Sequence, residues 1–573
     1  MSQSLIAFDT DHIKRYVFGT SKLKEIRGAS SILDRLNRIE TVQKAESDDF
    51  KATKIYAHGG SALFLIDSGK AESLGKAVQK LYHDATRGGA SITYAIQPLP
   101  DDAPPLPDLM TATTLNADIR MSDVLKMLRI RLRLAKDGQH PHYSQDELQS
   151  QKDDLRQDNL ADVIALPSHP LLCTCKSCGV NYAEVIVKDP DDTGEPDSRY
   201  CRVCKKKRDE DEAVKGSIPG LIRAAQEHKL SNETLWGRIL QALSEKDASH
   251  RSHYALPVGT DRPEDFNVFR QFAHGKDYLG LIYADANNMG KIFASLPTLQ
   301  EVHDTAMRVD NAVFDAMAEA VRLHFPVRGD TFPFDILLIG GDDIVIVTPA
   351  DKALQVAWTL TDKFYEYTDK QHTLSTGVVL APVKYPFNQS LILVEQTLKA
   401  AKKSGTISNG NASSEQEQSR INFMVITGNT SLNYDKIYAG MHRKNGYGKD
   451  NEFYATMRPY TSSQLNELLQ KLKKGNELRL GRTKLHQLRE AILKLDNTRS
   501  ILLALALLRN WRETERTFIK DMVQELDVRQ TKKQQQMGTL FPWFLDGKES
   551  SDDHILYRTP LLDFVELYDF VSF

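Results

Sequence analysis

Short apolar runs alternate with longer segments of helical spacing through the first hundred residues. "SLIAFDT", from Ser4, reads as a strand, and "ASSILDRLNRIETVQKA" carries apolar residues at helical intervals. "KIYAHGGSALFLID" predicts two short strands turning at Gly59 and Gly60. "GKAVQKLYHDAT" then predicts a helix and "ASITYAIQPL" a strand. The order is β-α-β-β-α-β, that of a ferredoxin-like unit. A proline-rich break, "PLPDDAPPLPD", follows, and then a basic helical segment, "MSDVLKMLRIRLRLAKDG".

The same order returns later. "KDYLGLIYAD" predicts a strand ending at Asp285, "VHDTAMRVDNAVFDAMAEAVRLH" an amphipathic helix and "FDILLIGGDDIVIVTP" a hairpin. "DKALQVAWTLTDKFYEYT" is a helix, "HTLSTGVVLAP" a strand and "QSLILVEQTLKAAKKSG" a helix. Repetition of one element order signals an internal duplication. The two first-strand exits also correspond, "FDTDHIKRYVF" against "ADANNMGKIF". Beyond the second unit the pattern is helical, as in "SSQLNELLQKLKK" and "KLHQLREAILKL". The expected architecture is α+β, with five regions: a first palm-like domain with a helical insertion (1–165), a zinc ribbon (166–215), a helical middle segment (216–272), a second palm-like domain (273–430) and a helical C-terminal domain (431–573). A chain of 573 residues is too long for one hydrophobic core, which fits this division.

The second hairpin carries the candidate chemistry. Two carboxylates, Asp342 and Asp343, stand at its tip after Gly340 and Gly341. In a β-α-β-β unit the end of the first strand lies beside that tip, which brings Asp285 close to both. Crowded carboxylates raise one another's pKa unless a cation neutralises them. Hard oxygen ligands suit Mg²⁺ or Mn²⁺, and two such ions about 4 Å apart serve nucleotidyl transfer. Gly340 and Gly341 leave room for a triphosphate against the backbone. Ala286, Asn287 and Asn288 open the following helix, whose first amides can hold phosphate oxygens. Lys402 is a candidate phosphate contact. Gly-Gly-Asp-Asp also suits a plain hairpin turn; its pairing with Asp285 in this element order favours the catalytic reading. The first unit keeps Asp9 and Asp11 at the strand exit, but its hairpin reads Gly59-Gly60-Ser61-Ala62. Without carboxylates at the tip, that copy is expected to lack catalysis.

All five cysteines fall between Cys173 and Cys204. Cys175 and Cys178, and Cys201 and Cys204, form two CxxC pairs whose spacing matches a structural zinc ribbon. Cys173 is the spare and an alternative to Cys175. On the basic helix, Lys126, Arg129, Arg133 and Lys136 share a face expected to be solvated, with RNA contact as the alternative.

Composition excludes little. Apolar residues make up 41% and charged residues 26%, with a net charge of −3 that gives no global field for nucleic acid. The N-terminus lacks an apolar signal region, and no apolar run approaches the roughly 20 residues needed to cross a bilayer. A cytoplasmic location is expected, with no membrane partner.

These motifs resemble the large subunit of type III CRISPR effector complexes, the Cas-ten family, in its Cmr-like branch. The resemblance rests on "FDTDHIKRYVFGTSKLKEIRGASSILDRLN", "YAHGGSALFLI", the paired CxxC motifs, "YADANNMG", "GGDD", "STGVVLAP" and "LKAAKKSG". It implies two palms face to face, nucleotidyl cyclase or polymerase-like in kind, with crRNA, target RNA and other effector subunits as partners. It implies that target RNA activates conversion of ATP into cyclic oligoadenylates in antiviral defence. Asp285, Asp342 and Asp343 would then hold the metals, Gly340, Gly341 and Lys402 would contact phosphates, and Gly59, Gly60 and Ser61 would line the place of a second nucleotide. Many members begin with an HD nuclease domain. The first palm strand here starts at about Ser4, so no HD-dependent DNase activity is expected. Competing readings are an AMP-conjugating enzyme, a diguanylate-cyclase-like enzyme or template-dependent polymerase, and a non-catalytic scaffold.

Overall fold

The computed structural model describes residues 2–138, 173–187, 198–227, 229–230, 234–244, 257–272, 277–325, 330–405, 419–427, 433–445, 451–494, 497–526, 542–548 and 555–571. Strand β1 (Gln3–Asp11), helix α1 (Leu23–Arg35), strands β2 (Thr53–His58) and β3 (Ser61–Asp67), helix α2 (Ser68–Thr86) and strand β4 (Ser91–Pro98) form the first unit. Its sheet order is β2-β3-β1-β4, and β1 runs antiparallel to both neighbours. This is the ferredoxin-like arrangement that the element order predicts. Helix α3 (Met121–Gly138) follows. Leu125 and Leu128 of α3 cover one face of the sheet, against Leu5, Ala7 and Leu63. The other face, with Ile6 and Phe8, packs on α1 and α2.

The second unit comprises β7 (Tyr278–Ala286), the short α6 (Met289–Ser295), α7 (Leu299–His324), β8 (Asp335–Gly340), β9 (Asp343–Pro349), α8 (Ala350–Tyr367), β10 (Leu374–Pro382) and α9 (Phe387–Gly405). Preceding it are the two-stranded ribbon β5 (Val185–Val187) and β6 (Ser198–Tyr200), and helices α4 (Arg202–Gln226) and α5 (Leu235–Ser244). The sheet runs β14-β11-β10-β7-β9-β8, where β11 is Arg420–Val425 and β14 is Tyr460–Thr461. The four strands of the repeat thus keep their order, and two later strands extend the edge beside β10. Ile282, Ala284, Ile344 and Ile346 pack on α7 and α8, while Leu281, Tyr283, Val345 and Val347 face the opposite way. That second face shares one continuous core with Ile26, Ile32 and Leu33 of α1. The two palms are therefore joined by a common hydrophobic interior, the main driving force for such a junction.

Polar contacts reinforce the junction. Arg27 of α1 holds Asp211 of α4 through two bonds of 2.8 and 2.7 Å, and reaches Asp335 at the start of β8 at 3.1 Å. Arg262 meets the same Asp335 at 2.6 Å. All four side chains are buried. Two positive and two negative groups satisfy one another there, as buried charges require. Gly28 lets α1 and α4 touch: a Cβ there would lie 1.7 Å from the carbonyl oxygen of Lys207. Helix α4 runs unbroken through residues 215 and 216, so the ribbon and the middle segment share one helix.

The C-terminal region is mostly helical but contains a small sheet as well. Strands β12 (His442–Asn445), β13 (Asn451–Tyr454), β15 (Phe544–Lys548) and β16 (Ile555–Arg558) form its four short strands. Helix Asn497–Arg509, from the "ILLALALL" run, is not fully buried: Leu502 is 63% exposed. No helix among the described residues is long and apolar enough to cross a membrane.

Candidate functional site

The register of the second palm places Asp285 directly opposite Asp343, and Gly340 opposite Asp343 across the hairpin. Asp342 stands at the tip. The strand exit and the hairpin therefore bring all three carboxylates to one edge of the sheet. Burial, then the charges of Asp285 and Asp343, push the Asp342 carboxyl up to about 7. Burial and Asp285 push Asp343 up to about 6, with Lys14 and Lys402 opposing the rise. The three groups thus feel one another strongly, yet they do not close on a single point. Among the described residues, the group of three or more potential ligands close enough to surround one ion is the cysteine tetrad.

Lys402 reaches the carboxylates themselves. Its ammonium bonds Asp285 Oδ2 and, at 3.1 Å, the carbonyl oxygen of Ala286. A second cation comes from the first palm: Lys14 Nζ lies 4.6 Å from the ring centre of Tyr283 and 3.5 Å from Glu395. Sequence reasoning missed Lys14 because nothing local marks it; only the docking of the palms brings it here. Asn287 is buried and bonds Thr373 through backbone (2.8 Å) and side chain (2.9 Å), fixing the loop after β7 to the start of β10. Asn288 adopts φ 54°, a left-handed conformation that Asn tolerates, and leads into α6. Helix α6 has only seven residues.

The two hairpin tips touch. A Cβ on Gly59 would lie 2.5 Å from Gly341 Cα, and one on Gly341 would lie 2.9 Å from Gly59 Cα. Both have φ of +63°, where a side chain is strained. In this structure the backbone facing Gly341 is that of the other palm. Gly60 points to Ile13 instead. Gly59 and Ser61 line a cavity of about 320 Å³, together with Asp9, Gly341 and Asp342.

The first palm keeps its acids but neutralises them. Lys136 of α3 pairs with Asp9 at 2.7 Å and Asp11 at 3.4 Å. Ser91 and Thr93 donate to Asp11 at 3.0 and 2.9 Å. Burial nonetheless raises Asp9, against the pull of Lys136. Arg129 bonds the carbonyl oxygen of Phe293. The basic face of α3 is therefore not simply solvated, because Lys136 and Arg129 turn inward. The signal was the acid pair at the β1 exit, which needed a cation from outside its own repeat.

The sulfurs of Cys175, Cys178, Cys201 and Cys204 lie within 4.8 Å of one another. Cys173 is exposed and accepts a bond from Arg199 at 3.1 Å, away from this group. Hydrogen bonds from its neighbours, Cys204 foremost, pull the Cys201 thiol down to about 4, while its proximity and burial push Cys204 up. Four crowded thiols cannot all ionise without a cation, and an all-thiolate set fits a closed structural zinc site. Cys201 also caps α4, accepting from the amide of Cys204 at 3.4 Å. The ribbon docks on the first palm through Ser177 and Glu25 (2.7 Å) and Arg208 and Glu25 (3.1 Å).

Two palms in contact at their hairpins, one carrying an acidic tip, define a double-palm protein of the nucleotidyl cyclase and polymerase-like class. Residues 278–409 match the family model described as Cas10/Cmr2, second palm domain. The fold is that of Csm1. The crystal structure of Csm1 in T. onnurineus matches with a TM-score of 0.52 at 14% identity, over 100% of this chain and 70% of that one. A Csm1–Csm4 cassette in complex with pppApA matches with a TM-score of 0.52 at 13% identity, over 99% and 69%. A cassette in complex with cA3 matches with a TM-score of 0.50 at 14% identity, over 99% and 69%. The chain spans 65% of the length of the Csm1 chain in the cA4-bound and apo cassettes. None of the curated proteins compared with it matches. Residues 278–409 thus resemble the second palm domain of Cas10/Cmr2, on a chain with the fold of Csm1.

Proposed function

We propose that the second palm joins ATP units by nucleotidyl transfer to make cyclic oligoadenylates, within a type III complex that binds crRNA and is switched on by target RNA. The observation that carries this reading is the acidic edge, where Asp285, Asp342 and Asp343 press on one another. The ligands of the matching cassettes, pppApA and cA3, are adenine nucleotides of the sort such a reaction handles.

The residues divide the work as follows. Asp285, Asp342 and Asp343 would hold two Mg²⁺ or Mn²⁺ ions, and the donor set fits: hard oxygens, raised pKa values at Asp342 and Asp343, and an ammonium already drawn to Asp285. Bound there, such ions lower the pKa of an attacking hydroxyl and stabilise a leaving pyrophosphate. A 3′-oxygen forms a bond to the α-phosphorus of ATP. The bond from that phosphorus to its bridging oxygen breaks, and pyrophosphate leaves with the electron pair. The hydroxyl proton passes to a carboxylate of the edge or to water. Lys402 and Lys14 supply positive charge beside the transferring phosphate, and Lys402 exchanges Asp285 for phosphate oxygens when substrate binds. Gly59 and Ser61 place the second nucleotide on the first palm, which lacks carboxylates at its tip. The cysteine tetrad binds zinc and keeps α4 docked.

The test is product analysis by mass spectrometry after the assembled complex is mixed with target RNA, Mg²⁺ and each nucleoside triphosphate in turn. Cyclic oligoadenylates from ATP are expected. Consumption of GTP alone, AMP joined to another acceptor, or no turnover at all would sink the proposal.

A further inference from the structure

The cavity between the palms has an inner polar group that no described protein atom answers. Its walls are apolar: Leu125, Leu128 and Leu132 of α3 face Phe293, Val302 and Ala306 of α6 and α7. Asp9, Ser61 and Asp342 line it where the hairpins meet. Tyr56 and His58 of β2 line it as well. His58 is only 8% exposed, yet neither of its ring nitrogens has a hydrogen-bond partner. Buried polar groups in folded proteins nearly always find partners, and an exception calls for a reason. Burial also holds the imidazole below its ordinary pKa. A neutral ring offers one donor and one acceptor.

An apolar slot with one neutral donor and acceptor suits a flat heterocycle with polar edges. The slot's volume, about 320 Å³, lies at the small end of small-molecule sites. It accommodates one nucleoside rather than a dinucleotide. Because the same cavity is lined by Asp342, a base held there leaves its sugar beside the acidic edge. We propose that His58 is the specificity-determining residue for the nucleotide seated on the first palm, reading the edge of its purine base. This rests on the nucleotidyl-transfer reading of the second palm, which supplies the reason for a nucleotide to sit there. Tyr56, with its ring centre 5.6 Å from that of His58, holds the imidazole in place.

The test is calorimetric titration of the full chain with imido-bridged analogues of ATP and GTP. The wild type is expected to show a site that prefers the ATP analogue. His58→Phe, which keeps the ring and removes the polar atoms, should weaken that site on the order of ten-fold and erase the base preference. His58→Gln should restore part of both. If His58→Phe fails to fold, Leu132→Trp plugs the slot from the opposite wall and should abolish the same site. In steady-state turnover His58→Phe should raise KM for ATP with kcat nearly unchanged. Asp343→Ala removes the acidic edge, and the His58-dependent site should persist in it, so a chain without turnover can still pass or fail this test. Wild-type affinity and base preference in His58→Phe, or unchanged binding in Leu132→Trp, would overturn the assignment.

Discussion

Arg27→Met should be among the most destabilising single changes in the protein. Arg27 is 1% exposed, Asp211 2%, Arg262 3% and Asp335 0%. The substitution removes both bonds to Asp211, the bond to Asp335 and a bond of 2.6 Å to the carbonyl oxygen of Pro263. Two carboxylates would then share Arg262 alone, which bonds Asp335 at 2.6 Å and lies 3.7 Å from Asp211. Removing one partner of a buried pair costs about 3–5 kcal/mol, chiefly because the other charge stays buried without compensation. The double variant Arg27→Met with Asp211→Leu removes one charge of each sign and leaves the Arg262–Asp335 pair whole. It should recover at least about 2 kcal/mol, since replacing a whole buried pair by apolar groups is often close to neutral. Urea denaturation, read as the midpoint of the transition that exposes the palm junction, measures both. A single-variant loss below about 1 kcal/mol would refute the reasoning. So would a double variant less stable than the single one.

Three further outcomes follow from the same geometry. Asp342 and Asp343 have folded pKa values of about 7 and about 6, above those of an unfolded chain, so their contribution to stability is present at low pH and lost as pH rises through 6 to 7. In the absence of divalent ions, the thermal midpoint of the wild type relative to Asp342→Asn with Asp343→Asn should therefore fall between pH 5 and 8, and Mg²⁺ should raise it more at pH 8 than at pH 5. A flat difference across that range would contradict the crowding. Lys402→Met should tighten Mn²⁺ binding in the absence of nucleotide, because the ammonium no longer occupies Asp285, while lowering ATP turnover by about ten-fold or more; weaker Mn²⁺ binding in a titration would show that the lysine does not compete. Stripping the proposed zinc with a chelator should lower the thermal midpoint by several degrees, because two members of the tetrad, Cys201 and Cys204, stand at the start of α4, which packs on α1; an unchanged melting curve at full zinc loss would rule this out.

The palms were legible because their strands are short continuous apolar runs and their helices keep helical apolar spacing. Strands β1, β3, β7 and β9 are short, apolar and bounded by glycine or aspartate, and the hairpin register then follows from the turn. The cysteine tetrad was legible from spacing alone, and Cys173 lies outside the group, in contact with Arg199. Contacts between repeats were not legible. The touching of Gly59 and Gly341 turns on how two domains dock, and each glycine alone reads as an ordinary turn residue. Lys136, Lys14 and Arg27 pair with carboxylates far away in sequence, so no local window couples them. The small C-terminal sheet was hidden for a related reason. One of its pairings is parallel, between Glu452–Tyr454 and Leu556–Arg558, strands four residues long and about a hundred residues apart. His58 lay in plain view, but its lack of a partner shows only in the folded chain.

Pyrophosphate release from ATP, by the assembled complex in the presence of target RNA and Mg²⁺, measures the central claim most directly. Wild type should release pyrophosphate, and Asp342→Ala with Asp343→Ala should release none while still assembling. Release at the wild-type rate from that variant would contradict the account.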